Sequence, residues 1–307
     1  MSNKIIKIIK NPKMIIKYLM DKNFFFFLGD KAYLKLRYKL ITGKKLNLEN
    51  PKTYNEKLQW LKLNDRNPEY TKMVDKYEVK KYVANIIGEE YIIPTLGIWD
   101  KFEDIEFDKL PNQFVLKCTH DSGGIIICKD KNKLDIEKAR KKINKCLKNN
   151  FYYHAREWPY KNIKPRIIAE QYMVDESGTE IKDYKFFCFN GKAKVILVCS
   201  NRFVKLKETF LDENWNIIDV VEGGHEREEK IEKPFNHSEM VKLSERLAQN
   251  IDFVRIDFYE INKKVYFGEI TFYPASGIER FKPEEYDMKL GDMLKLTKKE
   301  IKEKNER

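Results

Sequence analysis

Cysteine and histidine are scarce in this 307-residue chain and badly placed for metal or disulfide chemistry. The five cysteines (Cys118, Cys128, Cys146, Cys188 and Cys199) form no CxxC pair, and the four histidines stand at no ligand spacing from them. Neither a structural zinc site nor a disulfide framework is therefore expected, and a reducing cytoplasm is the expected location. Long apolar runs are missing too: Phe24-Phe25-Phe26-Phe27-Leu28 is five residues long, far short of a bilayer span. No small-residue cleavage site follows it, so a secretory signal is not expected. The phosphate-binding fingerprints GxxxxGK[ST] and GxGxxG are absent, as is a clear DxD. Low-complexity tracts and internal repeats are absent as well.

What is present is a globular composition, 42% hydrophobic and 35% charged, with a net charge of +12. The position of that charge matters more than its size. Residues 1–50 hold eleven Lys and one Arg against three acids, a net +9, which leaves only +3 for the rest. Charge confined to one end argues against an extended nucleic-acid track, and no nucleic-acid partner is expected. Within that end, Ile5, Ile8, Ile9, Ile15, Ile16 and Leu19 fall on one helical face and Lys4, Lys7, Lys10, Lys13 and Lys17 on the other. Pro12 splits the pattern into two short helices, with Asn11 capping the second. Two readings of residues 1–28 stay open: an amphipathic helix packed on the protein's own core, or docking on an anionic surface, either a partner or the inner face of a membrane.

Thr53-Tyr54-Asn55-Glu56 fits a capping box and opens a helix. A second helix is predicted over Met73 to Ile87, ending at Gly88. Strands are then predicted over 113–118 and 125–128, joined by a turn carrying Ser122, Gly123 and Gly124, with a basic-faced helix from Asp135 to Asn149 covering them. Further strands run over 166–173, 183–189, 192–200 and 204–212, with Asn190-Gly191 a hairpin turn. A last helix over 238–250 precedes strands at 253–260 and 264–272. Helices followed by mostly antiparallel strands give an α+β class.

The sharpest chemical signal lies in the last strand pair. Arg255 and Asp257 share one face of the first strand, Glu269 and Thr271 one face of the second. A three- or five-residue loop would pair 255 with 269 and bring the carboxylates together, whereas a two-residue loop would pair 257 with 268 and separate them. The longer loop is the expectation adopted. Two carboxylates so placed call for a cation, and an all-oxygen donor set suits Mg²⁺ or Mn²⁺ bridging phosphate oxygens. Lys117, at the end of an apolar strand before the glycine-bearing turn, is a candidate phosphate contact. Val74-Asp75-Lys76-Tyr77-Glu78 opens a helix.

Taken in order, these elements resemble the ATP-grasp superfamily, most closely its TupA-like branch, associated with teichuronopeptide and capsular polysaccharide synthesis. The likeness rests on Tyr54-Asn55-Glu56-Lys57-Leu58-Gln59-Trp60, Asp75-Lys76-Tyr77, Phe114-Val115-Leu116-Lys117, Asp183 to Lys192, and Phe267-Gly268-Glu269-Ile270-Thr271-Phe272-Tyr273-Pro274, and extends over about residues 50–296. It implies an ATP-grasp fold: a basic helical head (1–50), a helical lead-in (51–111), a small lid subdomain (112–173) and a large subdomain with the metal site (174–307). It further implies that Lys76 and Lys117 contact ATP phosphates under a lid of Thr119–Gly124. Glu170, Gln171 and Met173 would form the adenine-binding hinge, and Asp183 or Asp175 would hold the ribose. Asp257 and Glu269 would ligate Mg²⁺ or Mn²⁺, with Thr271 where many members carry Asn, and Arg255 would steady charge on an acyl phosphate. Lys185, Arg202 and the loop 274–277 would contact phosphate or substrate. The implied activity joins a carboxylate to an amine with ATP consumed. The rivals are a glycosyltransferase of the same kind of pathway, which would consume no ATP, and a basic membrane or nucleic-acid binding module with a vestigial nucleotide pocket.

Overall fold

The computed structural model describes residues 16, 19–20, 24–175, 181–201 and 205–297. The paired head helices expected around Pro12, and Arg202, lie outside the described residues. Helix α1 (Asp30–Thr42) leads into α2 (Tyr54–Asn64), whose capping box forms as expected: the Glu56 amide donates to the Thr53 hydroxyl at 3.2 Å while the Thr53 amide donates to the Glu56 carboxylate at 3.3 Å. The single helix expected over Met73 to Ile87 is two, α3 (Glu69–Val74) and α4 (Glu78–Ile87). Asp75 breaks it, because its backbone is extended and its carboxylate accepts from the amides of Tyr77 and Glu78 at 2.8 and 3.2 Å. That is the N-cap use of an aspartate, and the same carboxylate accepts from Arg166 at 3.0 Å.

A four-stranded sheet follows, in the order β1 (Thr95–Trp99), β4 (Ile167–Gln171), β2 (Phe114–Cys118), β3 (Ile125–Cys128). Helix α5 (Ile136–Leu147) covers it, burying Ala139, Ile143 and Cys146 against Phe114, Leu116 and Ile167. Strand β1 lies ahead of the expected lid boundary at 112, and Phe102 and Leu110 also pack into this core. A short helix α6 (Tyr152–Ala155) leads back toward β4.

The larger sheet is fully antiparallel, ordered β10 (Lys264–Thr271), β9 (Phe253–Ile261), β5 (Asp183–Phe189), β6 (Lys192–Ser200), β7 (Lys207–Asp212). The β5–β6 turn uses Asn190 and Gly191 at φ 48° and 81°, as the Asn-Gly pair demands. A two-residue strand β8 (Val221–Glu222) pairs with β11 (Phe281–Lys282), while α7 (His237–Leu247) and α8 (Tyr286–Met293) complete the chain. One face of the large sheet carries Phe186, Ile256, Phe258 and Ile270 into the main core, with Phe186 against His237 of α7. No helix among the described residues is long and apolar enough to cross a membrane.

Near the start of the described chain a fully buried arginine sets the path. Arg156 is 1% exposed, donates to the carbonyls of Phe25, Phe26 and Leu28 at 3.0–3.3 Å, and stacks 4.2 Å from the Tyr33 ring centroid. Replacing it by alanine should cost about 3 kcal/mol of stability, read by urea denaturation, because three carbonyls lose a charged donor and the packed guanidinium leaves a cavity beside Tyr33; Asp30, 3.5 Å from Arg156, keeps Arg66 at 2.6 Å. A loss below about 1 kcal/mol would show that the turn at 24–28 does not depend on this clamp.

Candidate active site

The cleft between the two sheets is built on the last hairpin, where the sequence expectation needs correcting. The β9–β10 loop is the two-residue kind, Asn262-Lys263 at φ 50° and 58°, and not the three- or five-residue loop expected. From that turn the pairs run Ile261 with Lys264 through Phe258 with Phe267, a register that would place Asp257 opposite Gly268. A β-bulge at Gly268 then shifts the register by one residue, so that Asp257 lies opposite Glu269 and Arg255 opposite Thr271. The carboxylates meet after all, through the bulge rather than the loop. Gly268 suits that place because a Cβ there would come within 3.1 Å of the Asp257 carbonyl and the Tyr259 ring.

The neighbouring strand extends the same polar face. Lys185 lies opposite Asp257 and Phe187 opposite Arg255. Asp257 is almost wholly buried and accepts from Arg255 at 2.7 and 2.6 Å and from Lys185 at 3.2 Å; Lys185 also pairs with Asp183 at 2.9 Å. Burial alone would depress Lys185 and Arg255, yet the carboxylates around them hold both above their ordinary values. Burial pushes Asp257 upward against the pull of the same two bases. The doubly bonded guanidinium identifies the ionised form. Glu269 differs, with its side chain 47% exposed toward the cleft. Burial would raise it, but the charges of Lys76 and Arg255, the Thr271 hydroxyl and Lys185 outweigh burial and bring it down to about 2. Thr271 donates to Glu269 at 2.7 Å and accepts from Arg255 at 3.1 Å. These two side chains sit beside the cleft wall, one register step beyond it.

The opposite wall comes from the small sheet. Lys117 on β2 and Glu170 on β4 face the cleft, joined at 2.5 Å, and Lys80 of α4 takes the other Glu170 oxygen at 2.6 Å. Burial would raise Glu170, but Lys117 and Lys80 together hold it below its usual range. Desolvation pulls Lys80 down. Lys76 completes the basic set, its ammonium bound to the Asp121 carbonyl at 2.6 Å and its amide to the Thr119 carbonyl at 3.0 Å. It thereby ties the segment before α4 to the glycine-bearing turn.

Of the residues singled out from sequence, Lys76, Lys117, Ser122, Glu170, Asp183 and Lys185 converge on this cleft with Asp257 and Glu269. Gln171 and Met173 line an adjoining depression with Asn262 and Tyr266. Gly123 and Gly124 stand apart from the wall. The Gly123 amide is held by the Asp121 carboxylate at 3.0 Å. Gly124 is pressed against the sulfurs of Cys146 and Cys118, which a Cβ would meet at 2.4 and 2.8 Å. Its bareness answers a packing need between β2 and α5. Sequence reasoning missed Lys80 and the apolar lining from Val79, Ile93, Tyr160 and Phe267. Lys80 had one signal, its place one helical turn after Lys76.

The arrangement offers several lysines to a polyanion, a paired acidic site to a cation, and apolar walls to a flat ring. A sequence model of the TupA-like ATPgrasp family matches residues 56–295. No curated protein sequence matches the chain. Among solved structures it is similar to a D-alanine–D-alanine ligase from Bacillus anthracis (16% identity, TM-score 0.41, covering 83% of this chain and 72% of that one). It is also similar to an L-amino acid ligase from Bacillus licheniformis (14% identity, TM-score 0.46, covering 85% and 58%).

Proposed function

The chain belongs to the TupA-like ATP-grasp family, and from that premise we propose that this ligase joins a uronic-acid carboxylate of a capsular or other surface polysaccharide, or of its precursor, to an amine. The observation that carries the chemistry is the Asp257–Glu269 pair facing Lys117 and Glu170 across one cleft. The glycan substrate rests on the family resemblance alone.

ATP phosphates are assigned to Lys76 and Lys117, with Ser122 and the turn at Gly123-Gly124 closing over them and Lys185 at the γ end. Glu170, Gln171 and Met173 are assigned to the base, and Asp183 to the ribose. The oxygen donors of Asp257 and Glu269, with Thr271 beside them, fit a divalent cation of the Mg²⁺ or Mn²⁺ kind, which would neutralise phosphate charge when bound. Arg255 and Lys185 hold Asp257 in place and keep positive charge near the reacting carbonyl. The substrate carboxylate takes the γ-phosphoryl group to leave ADP, and the amine then displaces phosphate from the acyl phosphate. No protein nucleophile is needed, so buried Cys118 is a packing residue.

Millimolar ATP or ADP with Mg²⁺ should raise the melting temperature by several degrees, since saturation at 100 times Kd is worth about 2.7 kcal/mol. No shift would overturn nucleotide binding at this cleft. Mass spectrometry of products from a panel of uronic acids and amines with ATP tests the reaction itself: a condensation product and equimolar ADP are expected, and sugar transfer without ATP consumption would refute it.

The enzyme is further proposed to work in the cytoplasm at the inner face of the membrane. In support, Phe24, Phe26 and Phe27 are 57–64% exposed, and Lys31, Lys35 and Lys39 project from the exposed side of α1 at four-residue spacing. Co-sedimentation with phosphatidylglycerol vesicles but not phosphatidylcholine vesicles is expected, and equal recovery with both, or with neither, would remove the membrane contact.

A further inference from the structure

Beyond Arg255, on the side of the large sheet away from the phosphate lysines, three carboxylates gather. Glu208 on β7 lies opposite Cys199, which is itself opposite Asp183, so Glu208 extends the row of polar residues on the cleft face. Glu222 lies on β8 opposite Phe281, and Glu279 precedes that strand, bringing its carboxylate 4.0 Å from the place a Gly223 Cβ would fill. The turn that folds Glu222 over Glu208 uses Gly223 and Gly224 at φ 58° and 82°, and the His225 imidazole stands 3.8 Å from Glu208. Among the described residues no lysine or arginine forms an ion pair with Glu222 or Glu279; Arg255 and Lys185, whose charges act on Glu222, are committed to Asp257 and Asp183.

A second, independent feature points the same way. Tyr54, at the start of α2, is 1% exposed, and its ring is wedged among Phe189, Phe253 and Phe281 with centroids 5.1–6.3 Å away. Among the described residues its hydroxyl has no hydrogen-bond partner. Its ring centroid stands 6.2 Å from that of Phe281, the residue opposite Glu222, and burial, with the Glu222 charge next, pushes the hydroxyl well above its ordinary value. A buried hydroxyl without a partner is unfavourable, and the neighbouring carboxylates repel one another. Both are relieved by one kind of ligand, a cation with N–H donors.

We propose that Glu208, Glu222 and Glu279, backed by Tyr54, receive the amine co-substrate in its ammonium form, and that Glu222 accepts the proton that frees the nitrogen lone pair. This rests on the ligase reading, which demands an amine on the Arg255 side of the acyl group. The step balances without a further reagent. One ammonium proton passes to the Glu222 carboxylate. The lone pair forms the C–N bond, the C–O bond to phosphate breaks with its electron pair going to phosphate, and the second proton leaves nitrogen for the departing phosphate. Burial, with the charges of Glu279 and Glu208, pushes Glu222 up to about 8 against Arg255 and Lys185, a value matched to taking a proton from an alkylammonium.

Two measurements separate this inference from the reading beneath it. Stabilisation by Mg-ATP tests the ligase reading and should persist in Glu222→Gln and Glu279→Gln. Ethylammonium chloride at 100 mM, against sodium chloride at equal ionic strength, should raise the melting temperature of the wild type by about 1–3 °C and of neither variant. Equal response in all three proteins, or none in the wild type while Mg-ATP still stabilises it, overturns the subsite. In turnover, Glu222→Gln should lose about 10²-fold or more with an alkylammonium co-substrate. That loss should shrink to a few-fold with hydroxylamine, which is uncharged at pH 7.5 and needs no base. The same loss with both nucleophiles would make Glu222 merely structural.

Discussion

Glutamine at position 269 should stop amide formation while the fold survives, with turnover falling by about 10²-fold or more. Glu269 is the carboxylate that reaches into the cleft, and at a value of about 2 it is fully ionised at neutral pH, so the substitution removes a whole charge at unchanged shape. The Thr271 hydroxyl can still donate to the amide oxygen, and Asp257 keeps its contacts to Arg255 and Lys185. Asp257→Asn is the less clean change, because it strips the nearly buried Arg255 of its close carboxylate partner and leaves Lys185 with Asp183 alone. The stability of the two proteins should also diverge with pH. The folded value of Glu269 lies below its ordinary 4.5, so its ionised form stabilises the wild type above about pH 4.5. That contribution is lost as the pH falls toward 2, and the glutamine variant should show no such loss. Full activity in Glu269→Gln would remove the acidic pair from the chemistry.

Methionine at position 117 should weaken nucleotide binding by about 10- to 100-fold, the worth of a charged hydrogen bond of about 1.5–3 kcal/mol. Lys117 is the better lysine to test because its removal leaves Glu170 paired with Lys80 at 2.6 Å, so the buried carboxylate is not abandoned. Isothermal titration with ADP and Mg²⁺ reads the affinity, and circular dichroism checks the fold. Unaltered affinity would confine Lys117 to the ion cluster with Glu170 and Lys80.

Much of this site could be read from the sequence because its residues obey simple periodicities. The alternation in Val254-Arg255-Ile256-Asp257-Phe258 and in Phe267-Gly268-Glu269-Ile270-Thr271 put the right side chains on common faces, and strand spacing marked Lys117. The capping box at Thr53 and the Asn190-Gly191 turn are local devices, fixed by residues three apart or adjacent, and both form. What escaped was context. The two-residue turn at Asn262-Lys263 lacks glycine, and its effect on register is reversed by one bulge five residues later. Gly268 inside a strand was the available sign. Strand β1 hid for a similar reason, since its five residues include Gly97, whose Cβ position is taken by the Trp99 ring at 2.3 Å, and it pairs with β4 through an irregular register. The sequence marks Asp75 only as part of a helix start, whereas its bond to Arg166 joins segments 91 residues apart. The carboxylates at 208, 222 and 279 sit in different strands and loops, so only tertiary structure brings them together.

On the proposed reaction, a divalent cation and a triphosphate share the space between Asp257, Glu269 and the lysines of the opposite wall. Crystals grown with Mn²⁺ and a non-hydrolysable ATP analogue give the direct test, through the anomalous signal of manganese. A manganese peak within coordination distance of both carboxylates, with phosphates reaching Lys117 and Lys76, is the predicted result. A peak elsewhere, or nucleotide bound outside this cleft, would contradict it.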